Sequence, residues 1–196
     1  MRYRADITAG SLKLPESRII ADLLLRHADR AEWKTSISGQ NSLQTRSPAT
    51  ATRLATLIRN RLSTMEPELW RLVRDANSTI ASHAMLAATI KQSPLVGDFL
   101  DLVVREQFRV FAPALTKPMW DNYLADCRGR DPEMPHWNES TLQRLRSSVF
   151  QTLAQAGYLE DTKTLKLQPV HIAPQVISYL QKHNEEYVLR CVQVSP

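Results

Sequence analysis

The chain has 196 residues, 43% of them apolar and 23% charged, and a formal net charge of +5. A chain of this size and composition builds a core without staples, as one large domain or two small ones. Its two cysteines, Cys127 and Cys191, form no CxxC pair and have no His at metal spacing, and its apolar runs are far shorter than the roughly 20 residues of a membrane span; this argues against a disulfide scaffold, a zinc module and a membrane protein.

The opening stretch, MRYRADITAGSLKLPES, has no apolar signal region, so a cytoplasmic location is expected; within it RYRADI is a strand candidate. LPESRIIADLLLRH predicts a helix, with Pro15 in its first turn and Ile19, Ile20, Leu23, Leu24 and His27 at helical period. A short helix over about Ala31 to Ile37 ends near Gly39, and SGQNSLQTRS reads as a loop. Ser47 and Pro48 then supply an N-cap and a first-turn proline for a helix to about Met65. Further helices are expected over Glu66 to Asn77, Ser78 to Gln92 and Pro94 to Phe111, punctuated by Pro67, Pro94 and Pro113. TKPMWDNYLADC predicts a helix and RGRDPEMPHWNES a loop. A helix over Asn138 to Ala156 follows, with Gly157 in the C′ position. YLE and TLKLQPV are β-prone runs separated by DTK and predict a hairpin. APQVISYLQKH predicts a last substantial helix, and EEYVLRCVQV reads equally as a helical turn or a strand.

The charge is unevenly placed. No Asp or Glu occurs between Glu32 and Glu66, and those 33 residues hold Lys34, Arg46, Arg53, Arg59 and Arg61, which equals the whole net charge. At 100° per residue, Ala51, Leu54, Leu57, Ile58, Leu62 and Met65 share one helix face, while Thr52, Arg53, Thr56, Arg59 and Asn60 lie opposite. Guanidinium groups neutralise phosphates, hydroxyls donate to phosphate oxygens, and Arg and Asn reach base edges, so this face suits nucleic acid. With the short helix before it the order resembles a helix-turn-helix, although the loop is longer than usual. The plain alternative is a solvated face of a bundle helix. Arg61 projects into the apolar face, where pairing with an acid of a neighbouring helix or snorkelling outward would accommodate it.

A second candidate lies in TLQRLRSSVFQTLAQAGYLEDTKTLKLQPVHI. Leu142, Leu145, Val149, Leu153 and Ala156 make an apolar stripe, with Gln143, Arg144, Ser147 and Gln151 opposite. A helix with such an outer face, then AGYL, then a hairpin reads as a winged helix, in which Lys163 and Lys166 of the wing would meet phosphates. Glu139, Glu160 and Asp161 dilute that charge, and winged helices also serve as protein-docking modules. The expected fold is therefore mainly α, with a helix-turn-helix-like domain over residues 1–113 and a winged-helix-like domain with a short β-hairpin over 114–196.

Motifs of catalysis are missing: there is no GxxxxGK[ST], GxGxxG, HExxH or GxSxG, and the five histidines are scattered. No enzyme activity, cofactor, metal or small-molecule substrate is expected. The pair Arg128 and Arg130 around Gly129 forms a turn that either grips a phosphate or, as the flanking Asp126 and Asp131 suggest, holds a loop through ion pairs. Trp70 in ELWRLVRD reads as a packing anchor.

The phrases ESRIIADLLL, RSPATATRLATLIRNRL, ELWRLVRD, GDFLDLVV, DCRGRDP and AGYLED…LQPVHI, in that order and spacing, resemble the BrxA family. Its members are small components of the BREX bacteriophage-exclusion systems. The resemblance runs from about Ala5 to the last helix. It implies a bacterial phage-defence protein, encoded beside an adenine methyltransferase, a phosphatase-like protein and a large ATPase. It also implies a mostly helical DNA-binding protein with no known catalytic activity, and it carries no established site residues. The expected function is largely sequence-independent binding of double-stranded DNA, with other BREX components as further partners. The rivals are an interaction module that holds defence components together and an RNA-binding helical bundle.

Overall fold

The computed structural model describes residues 2–8 and 10–195. Its helices begin where local chemistry starts them. α1 (Leu14–Leu25) has Pro15 in its first turn and buries Ser17, Ile20, Ala21 and Leu23. α2 (Arg30–Lys34) is started by a capping box: Asp29 accepts from the backbone of Ala31 and Glu32, and Glu32 accepts from the Asp29 amide. It continues as a π-helical turn over Thr35–Gly39. α3 (Pro48–Leu62) is capped by Ser47, whose hydroxyl accepts from Thr50 N at 3.3 Å.

α4 (Pro67–Asp75) leads into α5 (Ser78–Gln92), which Asn77 caps through Ile80 N at 3.0 Å. Every residue of α5 from His83 to Ile90 is buried, and a helix buried all round is a core helix. α1, α3, α4, α6 (Pro94–Asp98), α10 (Pro174–Lys182) and α11 (Glu186–Val192) all pack on it. α6 runs on through a π-helical stretch, Phe99–Val104, into α7 (Arg105–Arg109). The hydrophobic core is continuous across residues 113 and 114, from Tyr3 to Val194. α8 (Lys117–Arg130) and α9 (Glu139–Gln155) join it through an aromatic cluster. There Phe99 meets Trp120 edge-on at 5.1 Å and Tyr123 at 5.2 Å, with Phe150 behind.

Two ties close the fold. The buried Asp98 accepts from Arg2 Nη2 at 2.9 Å, Tyr3 Oη at 2.7 Å and Tyr187 Oη at 2.7 Å. Burial pushes its carboxyl upward, but these donors outweigh burial and hold it below the ordinary carboxylate range. Beside it, Gly97 has no room for a side chain: a Cβ there would lie 2.4 Å from Tyr187 Oη and 2.9 Å from Ile90 Cγ2. The second tie is Arg61, which donates to the carbonyls of Ser11 and Gly10 at 2.5 and 2.9 Å.

Several expectations need correction. RYRADI is not a strand: Arg2 to Ala5 is irregular and Asp6 to Thr8 is a turn. Its backbone is held by a side chain instead, with the amides of Arg2 and Tyr3 donating to Asp131. The expected hairpin of a C-terminal winged-helix-like domain is not present as strands among the described residues. Only the isolated antiparallel bridges Leu159↔Leu167 and Ala114↔Lys166 form. The reason is local. Asp161 ties down the amides of Lys163 and Thr164 at 2.7 Å each, Leu165 is left-handed at φ 54°, and Pro169 offers no donor, so too few extended residues remain for a ladder.

RGR is not a loop but the last turn of α8. Arg130 lies 5.8 Å over the Tyr123 ring, and Asp131 serves the N-terminal segment rather than ion-pairing with Arg128 or Arg130. Arg61 neither pairs directly with an acid nor snorkels: it is 0% exposed and caps carbonyls. EEYVLRCVQV, open between two readings, is helical over Glu186–Val192. Trp70 does anchor packing: it lies against the core and its indole donates to Leu62 O at 2.7 Å. No helix of the described residues is long and apolar enough to cross a membrane.

His83 gives the fold a pH dependence. Its Nδ1 accepts from the Ala173 amide at 3.1 Å, linking α5 to the start of α10, and burial pushes the imidazole below its usual pKa. The folded state therefore resists a proton that the unfolded chain accepts. The contribution is present above the ordinary histidine pKa of about 6.5 and is lost as pH falls toward and through the lower folded value. The melting temperature is expected to drop between pH 7.5 and 5.5, and the drop should be smaller in His83→Gln. Equal slopes in the two proteins would refute the assignment.

Candidate nucleic-acid interface

The outward face of α3 carries Thr52, Arg53, Thr56, Arg59 and Asn60, all exposed, and Arg46 stands exposed just before the helix. Opposite, Ala51, Leu54, Leu57, Ile58 and Leu62 are buried, so the period that hides one face presents the other. Arg61 is spent on the core. Of the five cations in the acid-free stretch, four therefore remain at the surface: Lys34, Arg46, Arg53 and Arg59. No ion pair occupies any of these four among the described residues.

The loop before α3 is built rather than loose. Asn41, at φ 48°, accepts from Thr45 N at 3.0 Å and donates to Thr45 O at 2.9 Å, which fixes the approach to Arg46. The hydroxyls of Thr52 and Thr56 donate to Pro48 O at 2.9 Å and Thr52 O at 2.8 Å. They present lone pairs outward and must rotate to donate to a phosphate.

Two depressions flank α3. One, of about 300 Å³, lies between α2 and α3 and is lined by Arg30, Trp33, Lys34, Arg59 and their neighbours. The other, of about 390 Å³, is lined by Lys13, Glu16, Arg46 and Arg53 among others. Arg30, Trp33, Lys34 and Lys13 were not among the contact residues expected from the sequence, although Lys34 was counted in the acid-free stretch. A signal for the first three existed, because Arg30, Trp33, Lys34 and Ile37 have the i, i+3, i+4, i+7 spacing of one helix face.

The second candidate face lies on α9. Gln143, Arg144, Ser147 and Gln151 are exposed, as expected of the side opposite Leu145, Val149 and Leu153. Its polar groups are more committed: Gln143 donates to Glu139 at 3.1 Å and Lys166 pairs with Glu160 at 3.3 Å. Lys163 is exposed on the turn held by Asp161. The N-terminal segment links the two regions. Gln155, one turn beyond Gln151, accepts from Leu12 N at 3.0 Å and shares a depression with Lys13 and Glu16, which also line the depression of Arg46 and Arg53.

Comparison with known proteins gives the same family in each case where a family is stated. A family model described as BrxA matches residues 1–184. A BREX protein BrxA of Paramagnetospirillum magneticum is 55% identical over 99% of this chain and 98% of its own length. One from Escherichia coli O9:H4 is 30% identical over 96% of this chain and 88% of its own. A crystal structure of an uncharacterized protein from Magnetospirillum magneticum superposes with a TM-score of 0.93 at 53% identity, covering 100% of both chains. The matches span the acid-free stretch, the buried α5 and most of the C-terminal helices, and by them this chain belongs to the BrxA family.

Proposed function

We propose that this protein is a component of a bacterial BREX phage-defence system that binds double-stranded DNA in the cytoplasm, largely without regard to sequence and without turnover of its own. The defence role is supported by the relatives named BREX protein BrxA. The single observation that carries DNA binding is the set Lys34, Arg46, Arg53 and Arg59, surface cations on or beside one helix that have no ion pair among the described residues. Cations held apart from acids bind polyanions, and the affinity follows from counterion release. Asn60 alone on the α3 face offers an amide for base edges, so contacts to the backbone dominate. In this reading residues 1–113 supply the main contact, and residues 114–196 add a second through Arg144, Ser147, Gln151 and Lys163.

The test is duplex DNA, single-stranded DNA and RNA of unrelated sequence, titrated at 50 and 200 mM salt. If about four phosphates are neutralised, duplex affinity falls on the order of 10² over that range. Arg53→Ala with Arg59→Ala should weaken binding by about 1–3 kcal/mol while leaving the melting temperature nearly unchanged. Binding confined to one sequence, or insensitive to salt, overturns the reading; preference for RNA moves it to the helical-bundle alternative.

One observation favours a protein-docking role alongside. Phe111 is 89% exposed at φ 54°, next to the exposed Val110 at the end of α7, and a bare aromatic in a strained backbone is a feature of contact surfaces. Loss of defence in Phe111→Ser with DNA binding intact would support contact with another BREX component.

A further inference from the structure

We propose that the groove between α2 and α3 is a seat for one phosphate ester, and that Trp33 is the positioning residue that sets the plane of the Arg59 guanidinium. The proposal rests on the DNA-binding reading and assigns it a single defined contact.

The groove is built from opposed chemistries. Its lining includes the apolar side chains of Trp33, Ile37 and Ala55, and Ile37 is anchored in the core. Arg30 and Lys34 of α2 and Arg59 of α3 line the groove as well, and no carboxylate does among the described residues. Ser38 adds a hydroxyl from the π-helical turn. A lining of apolar side chains, cations and hydroxyls without a carboxylate does not suit a cation or a plain hydrocarbon. It suits an anion that carries a small apolar body, such as a phosphate with part of its sugar. The volume of about 300 Å³ lies at the lower end of small-ligand sites, so it admits one such group and not a helix.

Arg59 is what makes the seat specific. Its guanidinium carbon stands 4.9 Å over the Trp33 ring centroid. A stacked guanidinium has its face covered and its N–H edge free, and that edge matches two oxygens of a phosphate. An unstacked arginine on a helix surface would lose more side-chain freedom on binding than one already held by a ring. Trp33 is itself fixed, because it packs against the core and follows directly from the Asp29–Glu32 capping box. The tryptophan thus contributes to phosphate binding without carrying charge.

Duplex affinity and its salt dependence should be measured for the wild type, Arg59→Ala, Trp33→Leu, Trp33→Phe and the Arg59→Ala/Trp33→Leu pair, with adenosine 5′-monophosphate as a separate ligand followed by calorimetry. Arg59→Ala is expected to weaken duplex binding by about tenfold and to lower the salt slope by about one phosphate. Trp33→Leu should reproduce most of the affinity loss although it removes no charge, Trp33→Phe should restore it, and the pair should bind no worse than Arg59→Ala alone. Melting curves identify any variant that loses its fold, and Trp33→Phe then decides. If the duplex binds but Trp33→Leu matches the wild type, or its loss simply adds to that of Arg59→Ala, the inference is wrong and the DNA reading survives. If only the nucleotide binds, and depends on Arg59 and Trp33, the seat stands as a free-nucleotide site and the duplex reading fails. If neither ligand binds, both fall.

Discussion

Asp98→Ala is expected to destabilise the fold by about 2–4 kcal/mol, because two tyrosine hydroxyls lose their charged acceptor, while Arg2, half exposed, can turn to water. The carboxylate joins three parts of the chain: Arg2 and Tyr3 of the N-terminal segment, the α6–α7 rod, and Tyr187 of α11. Without it the Tyr3 hydroxyl, on a residue 1% exposed, loses its acceptor, and a buried unpaired polar group is costly. Asp98→Asn keeps the shape and loses the charge, so it should fall between the two. Urea unfolding of the three proteins measures this; a loss under about 1 kcal/mol in Asp98→Ala would show that the network is not a structural hub.

Arg61→Ala should be of similar size, about 3–5 kcal/mol, for a different reason. The side chain is fully buried and holds the carbonyls of Gly10 and Ser11, so the change empties volume and leaves two acceptors without their donor. Burial pushes the guanidinium pKa down to about 10, opposed by the nearby Asp6 carboxylate, and it stays charged at neutral pH. Arg61→Met refills most of the volume without the donors and separates the two contributions. The contrast with Arg59, two residues earlier and exposed, is the stronger test. Arg59→Ala should cost DNA affinity and little stability, whereas Arg61→Ala should cost stability and, where the protein is still folded, little affinity. Equal loss of DNA binding in both would mean that this part of α3 is not arranged as described.

What the sequence determined by itself is local in origin. The cap at Ser47, the prolines at 15, 48, 67 and 94 and the period of Leu54, Leu57, Ile58 and Leu62 place helices because each signal acts within a turn or two of the chain. The acid-free stretch is likewise a property of the primary structure, and so the exposed face of Thr52, Arg53, Thr56 and Arg59 was legible without a fold. The helical wheel even showed that Arg61 faces inward. Its partners were not legible, because the carbonyls of Gly10 and Ser11 come from about fifty residues away and any backbone carbonyl could have served.

The tertiary structure decided whatever depends on partners distant in the chain. The β-prone runs after Gly157 are the exception, lost for a local reason: the Asp161 turn and the left-handed Leu165 leave too few extended residues for a ladder, and only two bridges form among the described residues. Gly129 suggested a turn, yet α8 runs through it to Arg130, because the roughly 1 kcal/mol a helical glycine costs is smaller than the burial of Trp120, Tyr123, Leu124 and Cys127 on the same helix. Trp33 and Arg59 lie 26 residues apart and meet only because Ile37 and the α3 face pack together. Helix starts and charge placement follow from neighbours along the chain; the Asp98 network, the burial of Arg61 and the α2–α3 groove exist only once distant segments share a core, because contacts of that kind have no energy until the chain has closed.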